Sequence, residues 1–355
     1  MVGMGADQVL SLEVVLPSGK FVTASADSNP DLYWALRGGG GSTYGVVTSI
    51  VVRAFPKIPV TTMTFGFATS ANISADVFWA GIRSYFTYFD RFATANAFGY
   101  WLVVPTTPPP ATDFFFQFMP FWANNRTLAD TQALVAPFLA ELAALGIPVT
   151  PVFTHFPTYF QAYNGTFPPL EAVGAPVGHA ASRLFPRENF LNPAKLNTTL
   201  SAARYAITQG GVLVGYNIRS APPTDTLSTT LQDNAVNPAW RKNLGFFILG
   251  GPATAPDASD ATIAANAKIL TTDWMKRWRD ASPGAGAYMS EADINEPDFQ
   301  QSFYGAEFYK RLLKLKKKVD PTGLFYAPTA VGSEEWYVTG QLPYYPTQNG
   351  RLCRV

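Results

Sequence analysis

The chain has 355 residues, 47% of them hydrophobic, and a formal net charge of +1, which provides for one large or two medium cores and gives no reason to expect nucleic acid as a partner. A lone cysteine, Cys353, excludes an internal disulfide framework, and with only His155 and His179 as imidazoles no metal site is expected. No apolar run approaches the about eighteen residues of a membrane span, so no membrane partner is expected either.

In chain order, residues 9–16 alternate as a strand, Pro17-Ser18-Gly19-Lys20 forms a turn, and 21–24 returns as a second strand. Asn29 and Pro30 predict the cap and first turn of a short helix. That helix runs into Gly38-Gly39-Gly40-Gly41, and 46–55 reads as a third strand. Four successive glycines allow positive φ and close approach of another group, at an entropic cost, so they point either to a tightly wrapped loop or to a flexible surface loop.

The loop is not a Walker cradle, since Gly45 is followed by Val46-Val47 rather than Lys-Ser/Thr. Neither is it a dinucleotide fingerprint. Gly38-x-Gly40 meets Thr43 where a glycine is needed, Gly39-x-Gly41 meets Tyr44, and a strand follows instead of a helix.

Residues 56–59 mark a boundary. Beyond it 74–92, 127–145, 192–208, 261–279 and 297–319 have helical spacing, while 98–104, 114–121, 211–218 and 245–249 read as strands. Elements interleave without a regular βαβ rhythm, which predicts an α+β layer arrangement, an antiparallel sheet covered by helices. The basic end of the last helix, Lys310 to Lys318, reads as a solvated face that suits the helix dipole. Residues 284–293 read as strand or loop, and 324–355 as a turn-rich tail.

Two separated groups of motifs resemble one known family. The first is Gly5-Ala6-Asp7-Gln8, then Asn29-Pro30-Asp31-Leu32-Tyr33-Trp34 with the glycine loop and Tyr44-Gly45-Val46-Val47-Thr48. The second is Tyr304-Gly305, Lys316-Lys317-Lys318, Asp320-Pro321-Thr322-Gly323-Leu324-Phe325-Tyr326 and Trp336. Both are similar to the berberine-bridge-enzyme-like oxidases of the vanillyl-alcohol-oxidase (PCMH-type) flavoprotein superfamily, and the ending Gly350-Arg351-Leu352-Cys353-Arg354 resembles fungal members.

The resemblance implies a FAD-dependent oxidase taking hydride from a small organic substrate (a sugar, alcohol or natural product), with molecular oxygen as acceptor. It implies three parts: residues 1–57 as the C-terminal portion of a FAD-binding domain, 58–282 as a substrate domain, and 283–355 as a segment returning to the first. Gly5, Ala6, Gly39, Gly40, Gly41, Gly45, Val46, Val47, Tyr288 and Ser290 would contact the cofactor. Where many members carry an asparagine followed by a tyrosine base, this chain has Ser290 and Glu291; Glu291 with Tyr288 are the catalytic candidates, Glu291 needing an apolar pocket to raise its pKa. A second family asparagine is replaced by Glu307, and the family's flavin-linking histidine lies in a part that precedes the motifs seen here. His155 and His179 lie in structural contexts. The alternative is a non-catalytic fragment that binds no flavin, at most a small-molecule or carbohydrate-binding module.

Sequons at Asn72, Asn125, Asn164 and Asn197 favour a secreted glycoprotein, while residues 1–7 show no signal peptide, so either the protein is not secreted or its natural beginning is absent.

Overall fold

The computed structural model describes residues 2–41, 43–167, 179–221 and 233–355. Strand β1 (Val9–Val15) pairs antiparallel with β2 (Phe21–Ser25) and with β3 (Val46–Val52), giving the order β2-β1-β3. The predicted hairpin is therefore present. Helix α1 (Pro30–Leu36) supplies Leu32, Tyr33, Trp34 and Ala35 to a core that also takes Val9, Leu12 and Val14. All seven residues of β3 are exposed, on both faces of the strand.

That small core is completed from the far end of the chain. Helix Ala306–Val319 contributes Tyr309 and Leu312, Phe308 packs edge-on to Trp34 at 5.3 Å, and the Arg311 guanidinium lies 3.9 Å over the Trp34 ring. Arg311 and Asp31 close the contact at 3.2 Å.

The middle of the chain builds a second sheet from β4 (Val60–Thr64), β5 (Gly66–Ala68), β6 (Ala97–Pro105), β7 (Phe114–Asn124), β8 (Val152–Phe156), β9 (Ala180–Pro186), β10 (Val212–Asn217) and β11 (Asn243–Gly250). Its order is β8-β4-β7-β6-β10-β11-β9, with β5 added beside β7, and every pairing is antiparallel. One face is dry. Phe78, Phe86, Phe138, Ile207, Trp274 and Trp278 from the helices meet Trp101, Phe116, Phe118, Leu213 and Phe247 from the strands. The alternating burial of β6 and β10 leaves the opposite face half-open, and that face positions the site. The arrangement is the expected antiparallel sheet covered by helices.

Three local readings change. Asn29 precedes α1 but makes no side-chain cap; it sits at φ 49° and its amide donates to Thr23 O at 2.7 Å instead. The helix read across 297–319 breaks at Gly305, whose φ of 81° lies outside any right-handed helix, into a wide turn (Gln300–Tyr304) and Ala306–Val319. The tail contains a short hairpin of β12 (Trp336–Val338) and β13 (Leu352–Arg354).

Candidate functional site

The half-open sheet face carries a row of aromatic rings. Register places Tyr100 of β6 opposite Tyr216 of β10, and Tyr216 opposite Phe246 of β11. Neighbouring strands lie about 4.8 Å apart, so in-register rings stack. Tyr100 and Tyr216 are 4.7 Å apart and 2° from parallel, and Phe246 extends the stack at 6.0 Å. Trp240 then meets Phe246 at 5.3 Å, and Tyr288 sits edge-on to both.

Tyr288 is half-buried and held by its backbone. Its N–H donates to Ser182 Oγ at 3.2 Å, and two residues earlier Gly286 O accepts from Leu184 N at 2.8 Å, so this stretch runs along β9. A tight turn, Met289–Glu291, follows, with Glu291 N donating to Tyr288 O at 3.0 Å. Ser290 and Glu291 are exposed. The apolar enclosure that a base at Glu291 requires is not supplied by the described residues.

The first residues of the chain reach the same place. Met4 and Ala6 pack with Tyr288, Trp240, Tyr216 and Ile218 around Phe246. They are clamped there by Asp7, which is fully buried. Its carboxylate accepts from both terminal nitrogens of Arg241 at 2.6 and 2.7 Å, from Asn234 Nδ2 at 2.7 Å and from Met4 N at 2.7 Å. Gly5 is exposed, with no atom within 4 Å of where a Cβ would stand.

The glycine loop lies next door, joined through the segment after Asp233. Ala235 N donates to Arg37 O at 3.0 Å and to Trp34 O at 3.2 Å, and a Cβ on Gly38 would strike the Val236 backbone. A Cβ on Gly39 would stand 2.5 Å from Ala35 O and from Leu312; one on Gly45 would stand 2.6 Å from Val14 and 2.8 Å from Val15 O. Contacts within the chain therefore account for Gly38, Gly39 and Gly45, and the loop is wrapped rather than loose. Gly40, at φ 100°, and Gly41, with open space above it, are different, and Val46 and Val47 are exposed. Burial pushes the hydroxyl pKa values of Tyr44, Tyr304 and Tyr309, just behind the loop, upward, so these phenols stay protonated.

Lys316 anchors the loop. It is buried rather than solvated, and its ammonium donates to Thr43 O at 2.6 Å, Asp320 Oδ2 at 2.7 Å and Phe325 O at 2.8 Å.

A cleft of about 950 Å³ opens between the N-terminal segment, residues 55–58 and the edge of the aromatic face. Met4 and Ile218 belong both to its wall and to the Tyr288 cluster. Sequence reasoning found Ala6 and Tyr288 but missed Tyr100, Tyr216, Trp240, Phe246 and Ser220; the spacing of Phe98 and Tyr100 along β6 was the signal it offered. His155 is exposed with Nδ1 2.8 Å from Thr61 Oγ1, and His179 lies beside Tyr345; neither joins the site. Among the described residues no helix is long and apolar enough to cross a membrane.

A family model described as "Berberine and berberine like" matches residues 287–332. The chain is 37% identical to the FAD-linked oxidoreductase patO of Aspergillus clavatus, over 99% of this chain and 57% of that protein. It is 32% identical to the FAD-linked oxidoreductase ZEB1 of Gibberella zeae, with the same coverages. The solved VAO-type flavoprotein MtVAO615 of Myceliophthora thermophila superposes with a TM-score of 0.82 at 27% identity, over 99% of this chain and 60% of that one. The chain thus spans 57% of the length of these two curated relatives.

Proposed function

Because the chain belongs to the berberine-bridge-enzyme-like FAD-linked oxidoreductases, we propose that it forms the substrate-binding part, and a share of the cofactor-facing part, of a FAD-dependent oxidase that removes hydride from a small organic substrate with oxygen as acceptor. We assign residues 1–57 and 283–355 to the cofactor side and 58–282 to the substrate side, since helix Ala306–Val319 completes the core around β1 and α1. The observation that carries this reading is the meeting of chain ends: Ala6 and Tyr288, 282 positions apart, pack around one aromatic cluster.

The residues present fit a flavin. An aromatic shelf, an open backbone at Gly5, and the buried Gln8 Oε1 and Ser220 Oγ, which have no hydrogen-bond partner, provide an apolar surface with unused polar atoms. Bound FAD would supply the two-electron acceptor. Tyr288 offers a ring edge, and the exposed Ser290 hydroxyl a donor or acceptor. Gly5, Ala6, Gly40 and Gly41 leave backbone within reach of the cofactor, Val46 and Val47 provide an exposed strand for its adenosine end, and Gly39 and Gly45 hold that backbone in place through their packing. Glu291 Oε is the proton acceptor for the substrate hydroxyl, a role that requires substrate and cofactor to enclose it.

The test is direct. The purified chain is mixed with FAD and desalted, and its visible spectrum is recorded. Retained flavin absorbance is expected; a colourless protein overturns flavin binding by this chain. The rival reading is a flavin-free binding module, favoured by Ser290 and Glu307 where the family has asparagines.

We also propose a secreted, N-glycosylated protein. Asn72, Asn125, Asn164 and Asn197 are all exposed, as acceptor asparagines must be.

A further inference from the structure

Charge at the cleft beside the aromatic face points to the chemistry of its ligand. The walls are apolar: Met4, Phe98, Phe160 and Ile218 face the opening. Two cations, Lys57 and Arg219, stand among them, and among the described residues no aspartate or glutamate lines the cleft.

Neither cation is used elsewhere. Among the described residues Lys57 and Arg219 have no hydrogen bond and no ion pair, whereas Arg187, Arg204, Arg241, Arg277, Arg279 and Arg311 all meet carboxylates. Next to Arg219, Ser220 is only 4% exposed, and its hydroxyl has no partner. Its carbonyl accepts from Arg241 Nη1 at 3.2 Å, which fixes this stretch of chain to the Asp7 clamp. A planar guanidinium with unspent donors and a second cation, both lining one apolar cleft that Ser220 also borders, form a receptor for an anion on an apolar body.

We infer that the cleft binds an apolar organic acid through its carboxylate, with Arg219 as the specificity-determining residue and Lys57 in support. Calling that acid the substrate rests on the oxidase reading; its binding does not.

The probe pair is naphthylacetate and its primary amide, equal in size and shape and differing in charge. Both are titrated calorimetrically into the full chain. The carboxylate is expected to bind about tenfold or more tightly than the amide, the ratio one charge-assisted hydrogen bond implies. Arg219→Gln brings the two ligands level, and Lys57→Gln narrows the gap. Arg219 is exposed and unpaired, so its substitution leaves thermal unfolding unchanged. Equal binding of acid and amide, no binding of either, or an acid preference that survives Arg219→Gln overturns the inference. A colourless chain that still selects the acid removes the oxidase reading and keeps this one; a flavin-retaining chain indifferent to ligand charge does the reverse.

Discussion

Lys316→Met isolates the tie between the glycine loop and the C-terminal segment. The Lys316 side chain is 8% exposed, and that of its partner Asp320 is fully buried. Removing the ammonium leaves the Asp320 carboxylate buried without a counter-charge and frees Thr43 O and Phe325 O, a change worth about 3–5 kcal/mol. Asp320 also accepts from Leu324 N and Phe325 N at 2.9 Å each. Lys316→Met with Asp320→Asn therefore removes the stranded charge but keeps an acceptor for those amides, and recovers part of the loss. The pH dependence carries a sign. Burial opposes ionisation of Asp320, but the Lys316 hydrogen bond, the two backbone amides and the lysine charge together outweigh it and hold its pKa below the usual value. A depressed folded-state pKa stabilises above the unfolded value of about 3.9, and that contribution is lost as pH falls through the lower folded value. Without Lys316 the carboxyl is easier to protonate, so the variant is penalised more at pH 7 than at pH 4. Urea unfolding followed by tryptophan fluorescence at both pH values measures this. A loss under about 1 kcal/mol at neutral pH, or the same loss at both, refutes the reasoning.

Two further substitutions separate glycines by cause: Gly39→Ala drives a Cβ into Ala35 O and Leu312 and costs about 1–3 kcal/mol, while Gly41→Ala meets open space and stays within about 0.5 kcal/mol in the same assay. Ser74 is both the third residue of the Asn72 sequon and the cap of helix Ala75–Thr87, its Oγ accepting from Val77 N. Expressed through a secretory host, Asn72→Gln and Ser74→Ala each lose one glycan by mass spectrometry, and Ser74→Ala also loses about 1 kcal/mol. An unmodified Asn72 in the unaltered chain refutes the glycan assignment.

Periodicity carried most of the fold. The helical spacing of 74–92, 127–145 and 192–208 and the strand-like runs at 98–104 and 114–121 correspond to elements of the structure, with 74–92 divided at Tyr88 into Ala75–Thr87 and Phe89–Thr94. What periodicity lacks is tertiary direction. A strand with aromatics on both faces does not say which face meets helices, so Tyr100 and Tyr216 could not be told from core residues. Lys316 sits in a run of lysines, and spacing alone makes it one more solvated cation; only the returning turn at Asp320 makes it an anchor. The break at Gly305 was hidden because apolar residues at helical spacing, Phe303 before it and Phe308, Leu312 and Leu315 after it, run through 297–319, and a single positive φ interrupts them.

The glycine loop brings these lines together. Its four glycines suggest a ligand cradle, yet the chain itself fills the space above Gly38 and Gly39, and Gly45 is pressed against β1. The cofactor contacts proposed above are accordingly assigned to residues the chain leaves open, among them Gly5, Gly41 and the exposed Val46 and Val47. The packed glycines have a different task. They let α1 and helix Ala306–Val319 close on the loop from both ends of the sequence, and the Asp7 clamp and the Lys316 anchor hold that closure with two buried ion pairs. A site assembled from segments about three hundred residues apart needs such fixed points, because a small shift of either end would separate Ala6 from Tyr288 and open the aromatic shelf.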